Sequence, residues 1–348
     1  MPSTSSRESE THHRRRVIID RRTAHRSALL LCIVLLAGCS IGPTIELDTL
    51  DGAPRHAIRL DDVPFFAQHT ADDCGPAALA GVLAASGVAT DPLTLSPQVY
   101  LPERRGSVQI ELIAATRRAG RLPYLLDPAP QALLAELAAG RPVLVFQNLG
   151  THAFPAWHYA VLTGVDPAAN RFYLNTGKRH DAAVSARAFL RTWDGAQRWA
   201  MVALRPGELP AQGNAERYLA AAADFDAVAR PAAATAAWQA AREHWPGQAL
   251  PYLALGNLAY ASADLPGAAD HFAAGLLAGA RHPALANNLA SVLGELGCPR
   301  RGEAVLKRFA ATIPAQSPWQ AALDQTRREL GAQPGDDPGR CATLLTTP

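Results

Sequence analysis

The sequence predicts an α+β domain over residues 58–205 followed by an all-α region over residues 211–330. Three observations predict this division. Residues 58–205 mix helical and strand patterns, helices first and strands afterwards, which is the order of an α+β domain with an antiparallel sheet. Residues 211–290 contain 29 alanines and read as helix throughout. Between the two lies Arg205-Pro206-Gly207-Glu208-Leu209-Pro210, a link punctuated by breakers. The chain has 348 residues, enough for about two domains. At 48% hydrophobic and 18% charged, it can bury real cores.

In the first region, residues 77–86 form an apolar helix that Gly87 stops. Gly106-Ser107 precedes a helix over 108–119, with Ser107 placed to cap it and Gly120 to end it. A third helix covers 131–139 and closes at Gly140. Buried strands are expected over 143–146, 159–163, 171–174 and 199–204. Residues 165–170, Val-Asp-Pro-Ala-Ala-Asn, are a breaker-rich turn of hairpin length between two of them.

In the second region a period of 34 residues recurs. Tyr218 and Tyr252 keep that spacing, as do Ala234 and Ala268, and Trp238 and Phe272. Leu255-Gly256 is followed by Ala268 and Phe272, and a third unit starts near Pro283 with Leu289-Ala290 and Leu306. The pattern resembles the tetratricopeptide repeat, in which small residues let two antiparallel helices pack closely. The resemblance implies binding of a protein partner. Residues 331–348 carry Pro and Gly breakers and are expected to be an irregular tail.

Charge and motif content exclude several classes. Seven of the 33 basic and three of the 31 acidic residues lie in the first 39, so the remainder carries a small acidic excess. That argues against nucleic acid as a partner. CxxC, HExxH, GxxxxGK[ST] and GxGxxG patterns are absent, so no cofactor or metal is expected. His69, Asp72 and Asp73 lie together, but their spacing fits no common zinc pattern.

The N-terminus reads as an address. Arg14, Arg15, Arg16, Arg21, Arg22 and Arg26 precede the apolar run 28–36. This run is shorter than the roughly 20 residues a bilayer span needs, and fits the core of a signal peptide. It ends in Leu36-Ala37-Gly38-Cys39, which resembles the lipobox of bacterial lipoproteins. The resemblance implies a signal peptide over 1–39, cleavage before Cys39, and lipid on that residue. Multiple acyl chains make a firm anchor. Ser40, rather than Asp, follows the cysteine, which implies the outer membrane, facing the periplasm. Residues 40–57 read as a tether.

Two segments carry candidate chemistry. In the first, Gln68-His69-Thr70-Ala71-Asp72-Asp73-Cys74-Gly75-Pro76, a cysteine stands just before a helix. Gly75 allows close approach and Pro76 suits a first helical turn. The positive end of the helix favours a thiolate. In the second, Ala156-Trp157-His158-Tyr159-Ala160-Val161-Leu162, a histidine begins an apolar strand. Asn175 ends the next strand and is placed to hold the imidazole. Asp166 competes for that role from the turn. The segment 147–157, with Phe154, Pro155 and Trp157, is a candidate cleft wall or core filler.

These residues resemble the papain-like cysteine peptidases that remove double-glycine leader peptides from bacteriocin precursors. That family shows Gln, five residues, then Cys-Gly, and later a His at the start of an apolar strand. The resemblance covers roughly residues 60–205 and includes 102–120, which is similar to the family's central helix. It implies Cys74 as nucleophile, His158 as general base and acid, and Gln68 as oxyanion donor. Asn175 falls where the family usually has the Asp of an Asp-Pro pair, but Thr176 follows it here. Papain-like enzymes do use Asn in this role. The expected activity is hydrolysis of peptide bonds on a peptide or protein substrate. Other readings of the same residues are an inactive peptide-binding module, a scaffold in which only the repeats matter, and an acyltransferase using the same thioester chemistry.

Cysteine arithmetic adds a cross-link. Of five cysteines, Cys32 leaves with the signal peptide and Cys39 carries lipid. Catalysis requires Cys74 to be free, so Cys298 and Cys341 are left to pair, or to remain as two thiols.

Overall fold

The computed structural model describes residues 45–310, 314 and 316–341. The arginine cluster, the apolar run and Cys39 lie outside the described residues. Residues from Glu46 onward form one compact unit.

The first part of this unit is a seven-stranded sheet flanked by helices. In chain order its elements are β1 (Ile58–Arg59), α1 (Cys74–Ala85), α2 (Pro92–Val99), β2 (Tyr100–Leu101) and β3 (Gly106–Ser107). Then come α3 (Gln109–Arg118), β4 (Leu122–Leu125), α4 (Pro130–Ala138), β5 (Val143–Asn148), β6 (Trp157–Asp166) and β7 (Arg171–Thr176). The last are β8 (Arg179–Ser185), α5 (Ala186–Asp194) and β9 (Ala200–Leu204). The sheet order is β4-β9-β5-β6-β7-β8, with β1 paired to the far end of β6, while β2 and β3 form a separate hairpin. All these pairings are antiparallel.

β6 is buried from Tyr159 to Val165, which explains its continuous apolar run. Tyr159 and Val161 join Leu79 and Leu83 of α1, Leu112 of α3 and Leu144 of β5 in one core. Helices α4 and α5 also pack on the sheet, bringing fully buried Leu133, Leu137, Phe189 and Trp193.

Several elements depart from the sequence expectation. Helix α1 begins three residues earlier, at Cys74. Ser107 does not cap α3: it pairs with Tyr100 in the small hairpin, and Val108 occupies the cap position without a side-chain bond. Elements α2, β1, β4, β8 and α5 carry no expectation from the sequence. Of the stretch read as a tether, residues from Glu46 onward pack on this domain. Leu47 is fully buried and its N–H donates to Asn170 Oδ1 at 3.2 Å. Arg59 pairs with Asp181 and lies 3.6 Å over the Tyr173 ring.

The second part is helical: α6 (Ala215–Asp226), α7 (Pro231–His244), α8 (Ala249–Ala261), α9 (Leu265–Leu277), α10 (Pro283–Glu295), α11 (Pro299–Ala310), α12 (Gln320–Gly331) and the single turn α13 (Pro338–Cys341). From α6 to α12, each helix packs on the next. Helices α6, α8 and α10 start at 215, 249 and 283, and α7, α9 and α11 at 231, 265 and 299. Both series step by 34 residues. Tyr218, Trp238, Tyr252 and Phe272, the aromatics that mark the period, are all buried. Cys298 and Cys341 form a disulfide with Cα atoms 5.7 Å apart, fixing α13 to the turn before α11.

The two parts are joined firmly. Helix α6 packs against the edge strand β4, which shields that edge. Arg217 pairs with Asp127 at 2.6 Å and Arg117 with Asp224 at 2.5 Å. In the link, the Ala211 N–H donates to Glu136 Oε1 at 2.7 Å. Glu136, only 1% exposed, also takes Arg141 at 2.5 Å. Removing one partner from such a pair costs about 3–5 kcal/mol, and the partial exposure of Arg141 favours the lower end. Urea unfolding of Glu136→Ala should show a loss of about 3 kcal/mol. The Cys298–Cys341 bridge closes a loop of 43 residues. Its removal in the double Ser variant should lower stability by about 4 kcal/mol in the chain-entropy model, read by calorimetry.

Candidate active site

Cys74 is the first residue of α1. The chain enters the helix through the turn 71–73, held by a capping box between Thr70 and Asp73. The Cys74 and Gly75 amides lie in the first turn, where both act to lower the pKa of the thiol. A third amide comes from the sheet. The Phe146 N–H donates to Trp199 O at 3.1 Å, toward β9, so Phe146 and Tyr159 face each other as a non-hydrogen-bonded pair. The Tyr159 N–H therefore points away from β5, and it acts to lower the pKa of the Cys74 thiol. Cys74 thus abuts the peptide that joins His158 to Tyr159.

Glycine is required at position 75. A side chain there would collide with the side chain of Ser107. Gly81, two turns on, would press on Pro64 O at 3.2 Å and on Val161 at 3.3 Å if it carried a Cβ.

The thiol opens on a cleft of about 890 Å³ lined by Ser107, Phe146, His152, Pro155, Trp157 and Tyr159, among others. Trp157 stacks on Phe146 with ring centroids 5.3 Å apart. Pro155 and Trp157 thus form a wall, whereas Phe154 points outward at 83% exposure. Asn148 shapes this wall by accepting the Gly150 and Ala156 N–H groups at 3.0 and 2.9 Å.

Burial pushes the Cys74 thiol above its ordinary value, and Asp72 pushes in the same direction. The three amides of Tyr159, Gly75 and Cys74 oppose this but do not overcome it. Burial lowers His158. The resting site is therefore a thiol beside a neutral imidazole.

His158 pairs across to Gln147 in β5, and its Nε2 lies 2.7 Å from Thr176 Oγ1. Asn175 is 6% exposed. Its Oδ1 accepts the Asp181 N–H at 3.0 Å, and its Nδ2 is buried with no partner among the described residues. Gln68 donates its backbone N–H to Gly177 O at 3.0 Å, and with Asn175 and Thr176 it borders a small gap beside Ala77 and Ala78 of α1. Asp166 accepts the Ala169 N–H at 2.9 Å and shapes its turn. It stands eight residues from His158, about 26 Å along the strand. The structure thus brings Gln68, Asn175 and Thr176 to one gap beside α1, with His158 bonded to Thr176, while Cys74 lines the larger cleft. Among the described residues, no hydrogen bond joins Cys74 to His158 or His158 to Asn175. Ser107, expected as a helix cap, and Tyr159, expected as a strand residue, line the cleft instead, as does His152 from the expected wall segment. The only sequence signal for Thr176 was that it follows Asn175 in place of the family's Asp-Pro.

Because burial opposes the thiolate, alkylation of Cys74 by iodoacetamide should be slow at neutral pH. It should climb through and beyond about pH 8.5, the ordinary thiol range. A rate plateau reached below neutrality would contradict this assignment.

Residues 60–201 match the model of the Peptidase_C39 like family. Three solved structures are similar. A protein from Bacillus anthracis assigned as a C39-like peptidase is 18% identical, covering 42% of this chain and 96% of that one, with a TM-score of 0.35. A double-glycine-motif protease from an AMS/PCAT transporter, solved with its leader peptide, is 22% identical over 43% and 94%, with a TM-score of 0.32. The peptidase domain of Streptococcus ComA, a bifunctional transporter in a quorum-sensing pathway, is 20% identical over 41% and 99%, with a TM-score of 0.35. No curated protein matches the chain. Over residues 60–201 the α+β part of this chain is thus similar to the Peptidase_C39 like family, and an all-α region follows it.

Proposed function

We propose that this chain is a cysteine peptidase of the bacterial cell envelope, anchored by lipid on Cys39 and carrying a protein-binding helical array. One observation carries the chemistry. A free cysteine at a helix start, surrounded by amide donors, abuts the peptide of a strand-initial histidine within a stretch that matches a peptidase family. Cys74 gives its proton to His158 and attacks the peptide carbonyl. The Cys74 N–H and the Gln68 side chain stabilise the oxyanion, a contribution that reaches about 10²–10³ in rate per donor. His158 then protonates the leaving amine, and water releases the acyl-enzyme. In this scheme the imidazole is held from the end of β7, where its Nε2 meets the Thr176 hydroxyl.

The 34-residue stepping of the helix starts supports reading the array as tetratricopeptide-like repeats. The basic cluster, apolar run and Leu36-Ala37-Gly38-Cys39 support the lipid anchor. A second reading, a peptide-binding module without turnover, draws on the buried neutral thiol and on the absence of a carboxylate bonded to His158.

A thiol-directed acyl probe separates the two readings. Wild-type protein should be labelled at Cys74, and Cys74→Ala should lose the label while keeping its fold, since one small residue replaces another. Equal labelling of the two would rule out the peptidase. Cys39→Ala should leave the membrane fraction and lose its acyl mass. A variant that remained processed and equally membrane-bound would rule out the lipid anchor at that residue.

A further inference from the structure

His158 has one side-chain hydrogen-bond partner among the described residues, the Thr176 hydroxyl, 2.7 Å from Nε2. Asn175, the residue at the expected spacing, has its amide oxygen committed to the Asp181 N–H. Its Nδ2 is buried without a partner, and no hydrogen bond joins its side chain to His158 among the described residues. We infer that Thr176, and not Asn175, is the positioning residue for His158, and that it orients the imidazole without charging it.

The chemistry of a hydroxyl gives this content. With Nε2 engaged, Nδ1 is the ring nitrogen left to take the thiol proton. A hydroxyl both donates and accepts, so it fixes the ring plane but accommodates either tautomer. It carries no charge, so it stabilises an imidazolium far less than a carboxylate does. A carboxylate in its place would favour the charged ring. The low imidazole and high thiol described above are what such a site produces at rest. Asp181, the acid nearest to Thr176 along the chain, is paired with Arg59, leaving the imidazole without that carboxylate. The catalytic meaning of this assignment rests on the function proposed above, whereas the positioning itself does not.

The test is a pH titration of the His158 ring by NMR in the full chain, with its signal assigned through His158→Gln. Cys74 alkylation is followed in parallel. Thr176→Asp should raise the His158 midpoint by about 1–3 in pH and move Cys74 alkylation toward neutral pH, by tenfold or more at pH 7. Thr176→Val should shift the ring nitrogen signals through loss of the Nε2 bond, and Thr176→Ser should restore them. Asn175→Ala should leave the ring signals and midpoint as in wild type. Ring signals unchanged in both Thr176→Val and Thr176→Asp, or a midpoint that follows Asn175→Ala instead, would overturn the inference. So would Thr176→Ser behaving like Thr176→Val. If the ring responds as expected while the acyl probe never labels Cys74, the positioning stands and the peptidase reading falls.

Discussion

The close approach of α1 to the sheet is the constraint on which the site depends. Gly75 brings the helix start against Ser107, and Gly81 brings its second turn against Val161 and the backbone at Pro64. Only at this separation does the Cys74 sulfur reach an amide of β6 that the sheet has left unpaired. The same approach buries Leu79 and Leu83 against Tyr159 and Val161, so the packing that stabilises the domain also sets the position of the thiol. A side chain at Gly75 would act on core and chemistry together.

That closeness has an electrostatic consequence. Three amide donors around a sulfur favour the thiolate, and in an open site they would bring it toward neutrality. Here Cys74 is 7% exposed, and loss of hydration outweighs the donors. The imidazole is shifted the other way by the same cause. The pair is therefore set by burial rather than by mutual attraction. Anything that fills or opens the cleft at Trp157 and Phe146 changes the one quantity that dominates both groups.

How much of this was legible in the sequence follows from how each element is stabilised. Strands β5, β6, β7 and β9 were found because they are buried apolar runs. The helical stepping was found because large aromatics recur at the sites that fill the interhelical core. Strand β8 was missed because Arg179-His180-Asp181 opens it and much of it is exposed, so it has little apolar alternation to read. Helix α5 was missed although Phe189, Leu190 and Trp193 lie at helical spacing, because nine residues give the pattern little length. At the site, Cys74, Gln68 and His158 were named from local motifs. The ring's partner was displaced by one position. The ladders of β6 with β7 and of β7 with β8 both shift register, between Leu162 and Gly164 and between Leu174 and Thr176. Counting residues along a strand assumes an unbroken ladder, and a one-residue shift changes which side chain reaches a given neighbour. Ser107 shows the same limit: its contact with Gly75 depends on a short hairpin that no periodicity announces.

The docking of α6 on β4, with Glu136 buried at the link, has a consequence for selection among partners. Modules on a flexible linker find each other at an effective concentration set by chain statistics, and nearly any bound substrate is eventually presented. Here the cleft and the first helices of the array belong to one compact unit. A chain held by the array, as proposed, would be offered to Cys74 at a fixed distance and a fixed attitude. Recognition then becomes a ruler: the separation between the bound segment and the scissile bond decides the outcome, and a tightly held chain of the wrong span is bound but never cut.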